Sequence, residues 1–164
     1  MPAKDWRELI HRKPWLLPFL YALTEAGGEA RVRELAEALE VKSRVAKAAM
    51  RLLKRYFLTE EGLVRSDVAA WLAKQDIRVR GRRMTWKAGS CYVLIKVKRS
   101  RISTYTVPAE LLEKVREELK KRKVAHVREL ASRLNSSPIS ISRALQVLEL
   151  LGKVKRCNGK YCYT

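Results

Sequence analysis

Apolar positions follow two periodicities along this chain. Val32, Leu35, Ala36 and Leu39, then Val45, Ala49, Leu52 and Leu53, recur at three- and four-residue steps. That spacing predicts a helix near 31–39, a turn around 40–42 and a longer helix near 43–56. The pattern then returns: Val32-Arg33-Glu34-Leu35-Ala36 is repeated letter for letter as Val127-Arg128-Glu129-Leu130-Ala131. At the same offset Leu39 meets Leu134, Ala49 meets Ala144, Met50 meets Leu145, Leu52 meets Val147 and Leu53 meets Leu148. One helical unit is therefore present in two copies, which an unrepeated chain would not require.

Punctuation residues place the other elements. Asp5 can cap a short helix through His11, and Pro14 and Pro18 sit near the start of a second that Gly27-Gly28 ends. Trp15, Phe19, Leu20 and Leu23 share its apolar side. Gly62 marks a hairpin between Phe57-Leu58 and Leu63-Val64, and Ser66 is placed to cap a helix carrying Val68, Trp71 and Leu72. Cys91, Val93, Ile95 and Val97 alternate with Tyr92, Leu94, Lys96 and Lys98, a strand pattern. Ala88-Gly89-Ser90 turns this strand back onto one near 77–86, with a third ending at Val107. Pro108 opens a helix through about Lys123, and another covers about 126–134. Ser137-Pro138 caps and starts a helix that stops before Gly152. Asn158-Gly159 then predicts a closing hairpin. The resulting expectation is an α+β, mostly helical chain: an N-terminal domain over 1–76, a basic β-hairpin connector over 77–107 and a C-terminal domain over 108–164.

Charge narrows the partner. Lysine and arginine total 36 against 17 acidic residues, a net charge of +19. Such self-repulsion is relieved by a polyanion, so nucleic acid is the expected partner. An anionic membrane fits less well, because the basic residues do not gather on one long amphipathic helix. Trp15–Leu23 is too short to span a bilayer, and Asp5, Arg7, Glu8 and His11 interrupt any leader-like run. A cytosolic location is expected. Glutamine occurs only at 75 and 146 and asparagine only at 135 and 158, a composition that fits a heat-adapted source.

The candidate contacts fall in four places. Lys42, Arg44, Lys47, Arg51, Lys54 and Arg55 carry no acidic residue among them, and the helical ones form a stripe opposite Val45, Ala49, Leu52 and Leu53. A solvated face would look similar, but the position and net charge favour contact with phosphates. Between Asp76 and Glu110 there are nine basic residues and no carboxylate. Arg80, Arg82, Arg83, Lys96 and Lys98 are expected to face a nucleic-acid backbone on the side of the first basic helix. Ser140, Ser142, Arg143 and Gln146 are expected exposed on the second copy's long helix, either reading base edges or forming an ordinary soluble face. Lys155, Arg156 and Lys160, with Lys153, add backbone-directed charge in the last hairpin. Trp86, Tyr92 and Tyr105 could stack on unpaired bases, although packing is the favoured reading.

Other chemistry is sparse. Cys157 and Cys162 lack the partners for a zinc site, since only Cys91 and two distant histidines remain. Across a two-residue turn they would lie diagonally and bridge poorly, whereas a four-residue loop would oppose them and allow a disulfide. His11 and His126 have no carboxylate or nucleophile at motif spacing. No phosphate-binding glycine loop or nucleophile elbow occurs. No enzyme activity, cofactor or metal is expected.

The order helix, helix, basic helix, hairpin and trailing helix is that of a winged-helix domain. Residues 136–145, running into Leu150-Leu151-Gly152-Lys153-Val154, resemble the recognition helix and wing of bacterial and archaeal winged-helix regulators. That resemblance implies a helix in the major groove and a wing on the backbone or minor groove. Residues 105–164 also resemble the archaeal and eukaryotic winged-helix small-subunit ribosomal protein numbered twenty-five, through Tyr105-Thr106-Val107-Pro108, Leu111-Leu112 and Tyr161-Cys162-Tyr163-Thr164. The net charge and the two winged-helix units lead to the expectation of duplex DNA binding in transcriptional or chromosomal work. Structured RNA in a ribosome or other nucleoprotein assembly is the alternative, and a protein–protein adaptor in a polymerase or replication assembly the third.

Overall fold

The computed structural model describes residues 5–27 and 30–164. The chain is α+β, and it divides into two compact units: Met1–Asp76 with Ile95–Thr104, and Ile77–Leu94 with Tyr105–Thr164. The stretch expected as a separate connector is thus shared between the units. Gly28 of the expected helix end lies outside the described residues.

The first unit opens with α1 (Trp6–Arg12), whose N-cap Asp5 accepts the Arg7 N–H at 3.0 Å. A 3₁₀ turn at Pro14–Leu16 leads into α2 (Leu17–Glu25), followed by α3 (Val32–Leu39), α4 (Ser43–Tyr56) and α5 (Ser66–Ala73). Helices α2, α3 and α4 pack against one another. Trp6 is buried against Trp71 and Phe57, with ring centroids 5.4 and 6.0 Å away. Its indole N–H donates to Asp67 Oδ2 at 3.2 Å, and Arg65 pairs with the same oxygen at 2.8 Å. Partial burial pushes the Asp67 carboxyl upward, but these donors and the Val68 N–H outweigh it and hold it below its usual range. Ser66 is the first helical residue of α5, not its cap; Arg65 holds that position, and the Asp67 side chain takes the Val68 N–H.

The middle of the chain forms a four-stranded antiparallel sheet in the order β1 (Ile77–Arg80), β2 (Arg83–Ala88), β3 (Cys91–Val97) and β4 (Ile102–Pro108). The strand expected near 77–86 is two strands, because Gly81 at φ 60 turns the chain and pairs Arg80 with Arg83. Met84, Thr85 and Trp86, and likewise Val93, Leu94 and Ile95, are buried in succession, so both faces of the central strands are covered. The unit boundary cuts β3 after Leu94 and β4 after Thr104.

In the second unit α6 (Ala109–Arg122) is followed by β5 (Val124–Ala125), α7 (Val127–Leu134), α8 (Pro138–Leu150), β6 (Val154–Cys157) and β7 (Lys160–Tyr163). Strands β5, β7 and β6 form a small sheet in that order. Its core joins Leu112, Val115 and Leu119 of α6 to Leu130 of α7, Ile141, Ala144, Leu145 and Leu148 of α8, and Val154 and Tyr161 of the sheet. Cys157 pairs with Lys160 across the two-residue Asn158-Gly159 turn, so the two cysteines lie diagonally as expected. They are nevertheless joined by a disulfide, with Cα atoms 6.1 Å apart. That separation is within bridging reach, which corrects the expectation of poor bridging.

The repeated letters carry repeated backbone geometry. The N–H of Arg31 donates to Glu34 at 3.0 Å, and that of His126 to Glu129 at 3.0 Å. The His126 N–H, helped by Arg122, holds the Glu129 carboxyl below its usual range against a smaller desolvation. Helix α3 ends at Glu40 (φ 53, ψ 47) and α7 at Asn135 (φ 52, ψ 46), both left-handed. The following N–H returns to the same helix in each: Val41 to Ala36 and Ser136 to Ala131, both at 3.0 Å.

A side chain with a Cβ strains this left-handed turn, and asparagine tolerates it better than most residues. Asn135→Ala is expected to destabilise the second unit by about 1 kcal/mol. Asn135→Gly should leave it unchanged or raise its melting temperature, and thermal denaturation of the two variants checks the pair.

Candidate nucleic-acid interface

Helix α4 buries Ala46, Ala49, Met50 and Leu53. Three- and four-residue steps on the opposite side put Arg44, Lys47, Arg51, Lys54 and Arg55 in solvent, and Lys42 before them is exposed as well. Among the described residues no carboxylate pairs with Arg44, Lys47, Arg51 or Lys54. An unneutralised cationic ridge of this kind attracts a polyanion and repels itself without one.

The tip of the β3–β4 hairpin belongs to the same unit. The Lys98 N–H donates to the Arg101 carbonyl at 2.9 Å and closes the turn, and the Lys42 N–H donates to the Arg99 carbonyl at 2.8 Å. This tip therefore sits at the N-terminus of α4 with Lys98, Arg99 and Arg101 exposed. Spacing alone does not single out Arg99 and Arg101 among the nine basic residues; their place beside α4 depends on long-range strand pairing that local spacing does not encode. Lys96, farther along β3, is half-buried. The hairpin expected around Gly62 is only a single bridge between Leu58 and Val64, and its turn exposes Glu60 and Glu61.

The second copy is built differently on the face that matters. With the offset of 95 residues between Val32 and Val127, Arg44, Lys47, Arg51 and Lys54 correspond to Ile139, Ser142, Gln146 and Glu149. Gln146 was expected exposed but is only 8% exposed. Its amide N–H donates to Ser142 Oγ at 3.2 Å, and its Oε1 is buried without a partner among the described residues. The Arg143 guanidinium lies 3.9 Å from the Tyr105 ring centroid, a cation–π stack. Ser140 is half-buried at the cap, its N–H donating to Ser137 Oγ at 3.2 Å. Strands β1 and β2 also pack on α8. Of the base-reading face expected of this helix, Gln146 is therefore buried and Ser140, Ser142 and Arg143 are half-buried, and a hairpin distant in sequence packs on the helix.

That hairpin also corrects a second expectation. Arg80 and Arg83 are answered by a carboxylate: Glu149 lies 3.7 Å from Arg80 and 3.9 Å from Arg83. Of the five central cations, Arg80, Arg82 and Arg83 belong to the second unit, while Lys96 and Lys98 belong to the first. Lys155, Arg156 and Lys160 are exposed around the terminal turn. Arg156 lies 5.5 Å from the ring centroid of buried Tyr161. Burial pushes the Tyr161 phenol above its usual range; Arg156 and Arg83 pull it down and Glu149 adds to the rise. Trp86 is 1% exposed, Tyr105 carries Arg143 and Tyr92 is half-buried.

Among the described residues no group of His, Cys, Asp or Glu is placed to hold a metal ion, and no helix is long and apolar enough to cross a membrane. No protein-family model matches the chain, and neither the curated proteins nor the solved structures contain a significant match.

Because Arg143 stacks on Tyr105, its removal should be felt in stability first. Arg143→Ala is expected to cost the second unit about 0.5–1 kcal/mol, the usual worth of such a stack. Arg44→Ala, on an exposed face, should leave the melting temperature where it is. Thermal denaturation of both variants checks the contrast.

Proposed function

We propose that the protein binds double-stranded nucleic acid, with the outer face of α4 and the β3–β4 tip of the first unit forming the docking surface. The observation that carries this is the exposed, unpaired stripe Arg44–Lys47–Arg51–Lys54 on a fourteen-residue helix, extended at its N-terminus by Lys98, Arg99 and Arg101. In this reading both units are winged helices in tandem, and the β3–β4 tip supplies to the first the basic turn that its short acidic hairpin lacks. A protruding basic helix fits the wide major groove of B-form DNA, whereas the A-form major groove is too narrow for it. Duplex DNA is therefore the preferred partner, in a transcriptional or chromosomal setting. No catalytic step, metal or cofactor belongs to the reading.

Salt dependence tests it. With six to eight phosphates engaged, log affinity for a mixed-sequence DNA duplex should fall against log salt with a slope of about −5 to −7. Replacing Arg44, Lys47 and Arg51 together with alanine should weaken binding to every sequence alike. It should also flatten the slope by about 3 at an unchanged melting temperature. Stronger binding to a structured ribosomal RNA fragment than to DNA would move the reading to the RNA alternative. A slope near zero on both polymers would overturn it in favour of a protein–protein adaptor.

A further inference from the structure

The second unit carries a basic surface of its own, built from two hairpin turns instead of a helix face. The β1–β2 turn brings Arg80 and Arg83 onto Glu149, whose side chain is only 15% exposed. The β6–β7 turn brings Arg156 over Tyr161, and the Tyr161 phenol in turn senses the charges of both Glu149 and Arg83. Strands β1 and β2 and strand β6 all pack on α8, so both hairpins are carried by the same helix. A cleft of about 360 Å³ opens there, lined by Arg80, Arg82, Arg83, Glu149 and Leu150. Its lining holds three guanidiniums and one carboxylate. Exposed Lys155, Arg156 and Lys160 extend the positive charge along the terminal hairpin, whose strands the Cys157–Cys162 disulfide ties together.

We propose that this surface is a second nucleic-acid site, one that holds the phosphodiester backbone without reading sequence. It rests on the function proposed above and adds to it, since it gives the second unit a task that does not depend on base readout by α8. Several features select a phosphodiester chain over a small anion. Guanidiniums present paired donors to phosphate oxygens, and the positive groups extend from the cleft along an exposed hairpin in place of closing around one point. Base readout by α8 is disfavoured: Gln146 is buried and donates to Ser142, Arg143 is stacked on Tyr105 and Glu149 is engaged by two arginines. Glu149 acts as a positioning residue. It pairs with Arg80 and Arg83, whose side chains stay 71% and 43% exposed.

The full chain carrying Lys155→Glu and Lys160→Glu, both at exposed positions, tests this without touching the packed interior. A second variant, Arg80→Ala, probes the cleft; the Arg80 side chain is 71% exposed. Binding is read by fluorescence anisotropy on three DNA duplexes of unrelated sequence over a range of salt. The double variant should lose roughly tenfold in affinity on all three. Its salt slope should be shallower by about 2, and its melting temperature unchanged. Arg80→Ala should move in the same direction by a smaller factor. If both variants bind like the parent while the α4 triple-alanine variant is impaired, the second site is wrong and the first stands. A loss confined to one sequence would overturn its sequence neutrality. If the parent chain binds none of the duplexes, the underlying function fails and takes this proposal with it.

Discussion

The left-handed residue between the two helices of each repeat is the constraint on which the rest depends. Glu40 and Asn135 reverse the chain at φ 53 and φ 52, and the next N–H closes back onto Ala36 or Ala131 at 3.0 Å. This turn directs the following helix across the preceding one. It brings Ala49, Met50 and Leu53 in one unit, and Ala144, Leu145 and Leu148 in the other, into buried positions. The penalty of a left-handed non-glycine residue is about 1 kcal/mol, so the burial of those side chains, at about 1.5–3 kcal/mol for each large one, readily outweighs it. Asparagine suits the position better than glutamate, and the first unit therefore carries the more strained of the two turns.

Equivalent backbones do not produce equivalent surfaces. On α4 the positions opposite the core are Arg44, Lys47, Arg51 and Lys54, all in solvent. On α8 the matching positions are Ile139, Ser142, Gln146 and Glu149, and the β1–β2 hairpin packs along that side. The difference extends to the edge of the core: Leu52 is half-buried, whereas its counterpart Val147 is fully buried. One copy keeps a cationic face outward, whereas the other buries Gln146 and pairs Glu149 with two arginines. The repeated segment thus keeps its turn and differs in the elements that pack on it. The proposed division of work, groove docking by one unit and backbone contact by two turns of the other, follows from that difference.

Local signals carried most of the fold. The 3.6-residue pattern placed α4 over its full observed span, Ser137-Pro138 placed the start of α8, and Asn158-Gly159 placed the last turn. Asp5 and the Ala88-Gly89-Ser90 turn were read correctly for the same reason, since caps and tight turns are determined by neighbouring residues. Gly81 was missed as a turn because charged residues on both sides hid the break between β1 and β2. The larger misses concern pairing at a distance. Nothing near α8 announces that β1 and β2 will pack on it, and nothing near Arg80 announces Glu149. For the candidate interface, the basic stripe of α4 was visible in full, whereas the adjoining Arg99 and Arg101 needed the hydrogen bond between Lys42 and Arg99 to find their place. Extending the repeat by its own offset would have paired Arg51 with Gln146, and that was the available sign that the basic face is not duplicated.

The central claim is that two helix–turn–helix segments with matching turns present different faces to nucleic acid. Amide chemical-shift mapping of the ¹⁵N-labelled chain, titrated with a mixed-sequence DNA duplex, tests it most directly. The largest perturbations are expected over Ser43–Arg51 and Lys98–Arg101, with Ser142 to Gln146 remaining at baseline. The strongest shifts falling on Ser142, Arg143 and Gln146, with α4 unmoved, would contradict the account.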